Sequence, residues 1–582
     1  MAHSSRSPVD RFFTLVRLDG WDIFILFCYA SASGILALAV PLAAQALVNT
    51  IAQGLLLPPL VILTVAVFLG LVLSGVLKTL QFALVEGVQQ RLFARLGLRL
   101  SELLPKFDRQ EFLRANGPEA LNKFFEIVNV QKSWAKLLLD LPASGVEVLL
   151  SFVFLALNGP ELLLLTGSTL FVTLLLLTLL GSGGLRTSIK ESYAKYELAD
   201  SLAQMGRCQD SLKLSEAGEP FLLRADESIH KYLSYRQSHF YVLLRQLGTF
   251  YFLNAVAGAT ILGLGGYLIM ERQLSVGQLV AAEIVVLGLL KACEKIVKSW
   301  GAVFDLLTGL DKLGHLLEIP LDPPVSARDL QSEKGCDLHF RSVHYSYVST
   351  GPKLFQGLDF SVRAGERVSI ISDEGSGNST LAQLAVGLLH PDQGQVEVEG
   401  QNAYSVSRQR LAWLTDRDEL FDTDLEDNIV LGREISPGEL RWALELSGLH
   451  EHLPSLPKGL QTEVLCCGRN ISRTQMIRTL LARTIVSRPC LLVIDQCLYG
   501  LDFEKRIETV RRLYSKDMPW TILNMQEETE SLALSDRILW LQDGQIKDLG
   551  SPQAATADPQ FAGRFPNLSK RLKSRLEEGS NV

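Results

Sequence analysis

Arg367-Val368-Ser369-Ile370-Ile371-Ser372-Asp373-Glu374-Gly375-Ser376-Gly377-Asn378-Ser379-Thr380-Leu381 runs from an apolar stretch through a glycine-rich turn into a second apolar stretch. Arg367–Ile371 reads as a strand and Leu381–Leu389 as an apolar helix. Between a strand and a helix, the pattern G-x-x-x-x-G-K-[ST] builds a phosphate cradle. Its glycines let backbone N–H groups curl around an anion, its lysine neutralises the outer phosphate oxygens, and its Ser/Thr hydroxyl holds Mg²⁺. Here Gly375, Gly377, Ser379 and Thr380 are in register, with Ser376 between the glycines. Ser372 stands where the first glycine belongs, and Asn378 stands where the lysine belongs. No lysine lies between Lys353 and Lys458, and Asp373 and Glu374 add negative charge. A hydrogen bond to a charged group contributes about 1.5–3 kcal/mol. ATP binding is therefore expected to be weaker than in the full pattern, although a helix N-terminus still attracts an anion. The bland alternative is a Gly-Ser turn ahead of a core helix.

Further strands follow the loop. Leu491-Leu492-Val493-Ile494 is apolar throughout, as in a parallel strand buried on both faces, and Trp520-Thr521-Ile522-Leu523 is similar. These alternate with helical patterns, so residues 331–565 read as an α/β domain. Residues 319–330, with Pro320, Pro323 and Pro324, read as a linker, and 566–582 as a charged tail carrying Lys570-Arg571-Leu572-Lys573-Ser574-Arg575.

Upstream, residues 1–318 have a different chemistry. Long apolar runs cover Ile23–Val48, Leu55–Leu77, Leu141–Leu157, Leu162–Leu180, Leu247–Met270 and Val276–Leu290. Each approaches the ~20 residues that cross ~30 Å of hydrocarbon as a helix. Six transmembrane helices are expected, and the lipid bilayer is a partner. The links at about 83–140 and 183–246 are long and charged, whereas Asn49–Gly54 carries no Lys or Arg. Basic residues stay on the cytoplasmic side, which places both termini and both long links there. Glu86, Glu147, Glu283 and Lys291 lie in or near the runs. A net charge of −7 gives no sign of a nucleic-acid partner, and eight scattered cysteines without a C-x-x-C pair read as thiols.

At this point the chain resembles an ABC transporter half-subunit of exporter type: an all-α polytopic membrane domain followed by an α/β P-loop ABC nucleotide-binding domain. Val343-His344-Tyr345-Ser346-Tyr347 resembles the family's A-loop, whose aromatic, here Tyr347, stacks on adenine. Leu491–Asp495 followed by Gln496 resembles Walker B, whose Asp, here Asp495, orders Mg²⁺ with Ser379. Tyr499-Gly500-Leu501-Asp502 resembles the D-loop, and Ser535–Ile546 is similar to the closing strands. The resemblance covers nearly the whole chain and implies ATP and Mg²⁺ as cofactors.

Several positions depart from the family pattern. Gln496 replaces the glutamate that serves as general base, and a lost base typically costs about 10²–10⁴-fold in rate. Gln526 stands near the switch histidine, and no histidine follows His452. The signature becomes Ile471-Ser472-Arg473-Thr474-Gln475, keeping Ser472 and Gln475 and losing both glycines. Asp416 stands at the Q-loop glutamine. The resemblance implies two nucleotide-binding domains sandwiching ATP, with coupling tips near Gly117–Phe125 and Gly206–Leu212. The departures point to a catalytically degenerate half of a heterodimer, with a second ABC half-transporter and accessory export proteins as partners, in the plasma (inner) membrane of a bacterium. The alternatives are a homodimeric pump with unconventional site residues and a non-transporting membrane scaffold or regulator.

Overall fold

The computed structural model describes every residue except 1–6, 53–57, 116, 118–120, 159–163, 165–166, 169, 173–174, 176–178, 216–217, 325–334, 348–350, 374, 418, 466–467 and 580–582. The chain divides into two compact bodies: residues 1–107 with 112–320, and 108–111 with 321–582.

The first body is helical. Among the described residues, five helical stretches are long and apolar enough to cross a membrane: Gly20–Ile51, Leu60–Lys106, Leu121–Leu157, Gly218–Met270 and Val276–Leu317. The expected span Leu162–Leu180 falls largely outside the described residues. Several helices run well beyond their apolar stretches. Pro58–Leu103 has 46 residues, and at 1.5 Å per residue it is about 70 Å long, more than twice the hydrocarbon thickness. The apolar run Ile23–Val48 is not one uninterrupted helix, because Gly20–Ala37 and Ala39–Ala52 are separated at Leu38. Pro41 has no N–H to give the Ala37 carbonyl, which accounts for the break.

Where these helices leave the apolar zone, their packing carries polar groups. The Trp134 indole donates to Asp19 at 3.1 Å. Lys312 is 1% exposed. Its ammonium donates to Ser192 at 2.5 Å and to Glu126 at 3.4 Å, and it lies 3.9 Å from the centre of the Tyr196 ring. This one cation ties together the helices Glu126–Asn158, Gly184–Arg207 and Val276–Leu317.

The second body contains two sheets. Strands β1 (Leu338–Tyr345), β2 (Phe355–Val362), β4 (Gln393–Val398) and β5 (Gln401–Asn402) form an antiparallel sheet in the order β2-β1-β4-β5. Strands β3 (Arg367–Ser372), β6 (Leu411–Thr415), β7 (Leu491–Asp495), β8 (Thr521–Asn524), β9 (Arg537–Gln542) and β10 (Gln545–Gly550) form the other, in the order β10-β9-β3-β8-β7-β6. It is parallel except for the β9–β10 pair. Every residue of β3, β7 and β8 is buried, as their apolar runs require. Parallel pairing sets Ser372, Thr415, Asp495 and Asn524 at one edge, the carboxyl ends of their strands, where ligands bind in open α/β sheets.

Two segments differ from their reading as linear sequence. Within the expected charged tail, residues 566–579 are not detached. Pro566–Gly579 is a helix whose Leu568 and Leu572 are buried in one cluster with Ile371, Trp540 and Phe561. Lys570, Arg571 and Lys573 are exposed on its outer side, so composition alone hid the apolar stripe. Asp108–Glu111, just before the tip expected at Gly117–Phe125, belongs with the second body. The six cysteines within the described residues are free thiols.

Candidate functional site

Strand β3 ends at Ser372, and the chain turns through Asp373 to Gly377 before the helix Asn378–Ala385. The turn is held by its own polar groups: the Ser376 hydroxyl donates to the Asp373 carbonyl at 2.7 Å. Gly377 has φ +103°, and a Cβ there would lie 2.9 Å from the Leu354 side chain, so only glycine fits. No side chain caps the helix that follows. Its first N–H groups are left facing the loop, as an anion cradle needs.

A cavity of about 610 Å³ opens over this loop. It is lined by Tyr347, Leu354, Ser372, Asp373, Gly375, Ser376, Gly377, Asn378, Ser379, Thr380, Arg417, Gln496, Tyr499, Met525 and Glu527. The turn after β3, the ends of β6 and β7 and the segment after β8 thus converge on one place. The Tyr347 hydroxyl is 2.6 Å from the Thr380 hydroxyl, which draws the expected adenine-stacking residue over the first turn of the helix. Ser379 and Asp495, the expected Mg²⁺ pair, are hydrogen-bonded side chains. Burial pushes the Asp495 carboxyl above its ordinary range, and the Ser379 hydroxyl and the Arg417 charge offset part of that push. Gln496 lies in the left-handed region at φ +56° and is exposed to the cavity.

Other expected residues are placed elsewhere. Asp416 is exposed but does not line the cavity, whereas its neighbour Arg417 does. Gln526 is 1% exposed. With its amide turned to satisfy both ends, its oxygen accepts from the N–H groups of Cys497 at 3.1 Å and Leu498 at 2.9 Å. Met525 and Glu527 face the cavity in its place. Ser472 and Gln475 form a capping box at the start of the helix Arg473–Ile485 and are not among the cavity's lining residues. Glu374 lies outside the described residues.

These residues fit a nucleoside triphosphate with Mg²⁺ in most respects. Tyr347 would offer the aromatic face, the loop and helix N–H groups would form the phosphate cradle, and Ser379 with Asp495 would offer oxygen ligands to the metal. The misfit is Asn378, whose buried side-chain oxygen has no partner among the described residues. An amide there supplies no positive charge. Of the two acidic residues in the loop, Asp373 pairs with Arg564 at 2.9 Å. Arg417 and Arg564 both went unseen in the linear sequence, because a search for a substitute lysine near the loop passes over arginines that only folding brings to it. Away from this cavity, one trio of ligand-type side chains gathers among the described residues, Asp108, Asp322 and His390. It is already engaged: His390 Nε2 lies 2.8 Å from an Asp108 carboxylate oxygen, and Asp322 pairs with Arg408 at 3.3 Å.

Comparison with known proteins bears on the domain and the fold. Residues 355–498 match the ABC transporter family model, which implies the use of ATP and Mg²⁺. The toxin RTX-I translocation ATP-binding protein of Actinobacillus pleuropneumoniae is 26% identical over 313 residues, 53% of this chain and 44% of that protein. The alpha-hemolysin translocation ATP-binding protein HlyB of Escherichia coli is 25% identical over 310 residues, 51% of this chain and 43% of that protein. The match thus spans less than half the length of these relatives. The leukotoxin translocation ATP-binding protein LktB of Mannheimia haemolytica is 24% identical over 527 residues, 89% of this chain and 73% of that protein. A bacterial Atm1-family ABC exporter with ATP bound shares the fold at a TM-score of 0.83 and 19% identity, covering 96% of this chain and 98% of that one. With its apolar helices, this is an integral membrane protein. Residues 355–498 thus carry an ABC transporter nucleotide-binding domain, and the chain as a whole has the fold of a bacterial ABC exporter.

Proposed function

We propose that this chain is the hydrolytically impaired half of a dimeric exporter in a bacterial inner membrane. It supplies half of the transport path and one nucleotide-binding domain, and a second half-transporter with intact motifs supplies the turnover. Accessory export proteins complete the assembly. The observation that carries the reading is the position of Gln496 in the cavity, directly after Asp495. An amide there cannot take a proton from an attacking water, and the loss of such a base is worth about 10²–10⁴-fold in rate. Asn378 in the cradle and the inward-turned Gln526 support the same conclusion, because neither supplies charge or a proton acceptor at the cavity.

Bound ATP with Mg²⁺ supplies the free energy of the transport cycle in the partnered assembly. The residues of this chain position it: Tyr347 at the base, the loop amides at the phosphates, and Ser379 with Asp495 at the metal. The test is phosphate release from Mg²⁺-ATP by the full-length chain purified alone in detergent, and by the same chain co-purified from native membrane with its companion. Release is expected to be negligible for the lone chain and to appear with the companion. Robust release by the lone chain, abolished by Asp495→Asn, would falsify the reading.

A further inference from the structure

The cavity over the phosphate loop contains a cation that the loop itself lacks. Strand β6 lies beside β7, and Thr415 at its end pairs with Asp495. The residue two places beyond Thr415 is therefore delivered to the same strand edge as the loop. That residue is Arg417, exposed and lining the cavity with Gly377, Asn378 and Gln496. Its position is fixed locally, since its backbone N–H donates to the Thr415 hydroxyl at 3.3 Å. Among the described residues, no carboxylate forms an ion pair with its guanidinium. A guanidinium stays charged at any working pH and presents a planar fork of donors that matches phosphate oxygens. The opposing acid of the loop, Asp373, is held by Arg564. The charge of Asp373 is thus offset, and Arg417 is the basic side chain in a cavity lining that also holds Glu527.

We infer that Arg417 replaces the missing lysine as the cation that holds the phosphates of a nucleoside triphosphate in this chain's own loop, so that the site binds nucleotide and does not cleave it. The inference rests on the reading of the chain as the impaired half.

The test is equilibrium binding of MANT-ATP with Mg²⁺ to the full-length chain in detergent, followed by fluorescence at fixed ionic strength. Phosphate release is measured in the same samples. The unaltered chain is expected to bind saturably, and Arg417→Ala to bind about 10- to 100-fold more weakly, the range of one charge-assisted contact. Arg417→Lys should lose less. Adding Asn378→Lys to Arg417→Ala should recover the loss, because it returns the charge from the other side of the cradle. Arg417→Gln carries the same decision if Arg417→Ala melts early. Binding by Arg417→Ala and Arg417→Gln equal to that of the unaltered chain would overturn the role of Arg417. Absence of saturable binding by the unaltered chain would overturn the site altogether. Phosphate release by the unaltered chain alone would reject the impaired-half reading, while the Arg417 comparison would still decide who holds the phosphates.

Discussion

Gln526 shows how a side chain at a family's catalytic position can serve the fold. Its oxygen satisfies two backbone N–H groups of the turn that follows Gln496, and its carbonyl accepts from the Asn524 amide at 3.0 Å. Asn524 reaches on to Ser369 and Ser531 at 3.0 and 3.1 Å. Replacing Gln526 by leucine keeps the bulk and strands two buried N–H groups, which costs about 1–3 kcal/mol. Gln526→Leu is accordingly expected to lower the unfolding temperature of the nucleotide-binding domain by several degrees in a calorimetric scan. An unchanged midpoint would show that the amide does not brace the turn. Individual residues differed in how far the sequence alone revealed them. Gly377, Ser379 and Asp495 were legible because their chemistry depends on immediate neighbours along the chain. The direction of Gln526 and the arrival of Arg417 were not, because each depends on which strands lie side by side.

At the level of elements, the helix Pro566–Gly579 repays attention because its charged composition suggested a solvated tail. Leu568 and Leu572 anchor it by burial. Arg575 then fastens it to the short helix Thr529–Leu534 by donating to both oxygens of Glu530, at 2.6 and 3.1 Å. Glu530 is 3% exposed. Burial pushes its carboxyl up, but hydrogen bonds from Arg575 and Arg511 outweigh that and hold it below the ordinary glutamate value. A carboxyl lowered on folding stabilises the fold above its unfolded pKa, and that contribution disappears as pH falls through the folded value. Arg575→Met should therefore cost about 1–3 kcal/mol at pH 7. The gap between variant and parent should narrow as pH falls from the ordinary glutamate range through the lowered folded value of the parent. Thermal melts of the two proteins at pH 7 and pH 3.5 test this, and a gap of constant size would mean that the arginine acts through packing alone.

On the scale of the whole molecule, the two halves obey different solvents. The first exposes large apolar side chains such as Phe68, Leu69 and Phe252 at 63%, 59% and 69%. This is unfavourable in water and ordinary against lipid. The second buries its apolar strands between helices. The boundary near residue 320 was readable because the composition changes there, and the long helices were readable because a bilayer demands uninterrupted apolar length. The extensions beyond the apolar runs were less legible, since amphipathic helix and charged loop share a composition. The distribution of basic residues predicts that those extensions lie in the cytoplasm. Cys208 ends one of them, just after Gly184–Arg207, and is exposed. A membrane-impermeant maleimide is expected to label it in inverted vesicles and not in intact spheroplasts. Labelling in spheroplasts would reverse the orientation.

The bridge between Arg564 and Asp373 spans 191 positions of sequence. A stop codon placed ahead of residue 564 leaves an acid beside the anion seat with its counter-ion cut away. A trimmed clone and the intact polypeptide would then differ in nucleotide affinity for a reason far from the deletion point, and affinity handles are better fused to the amino end.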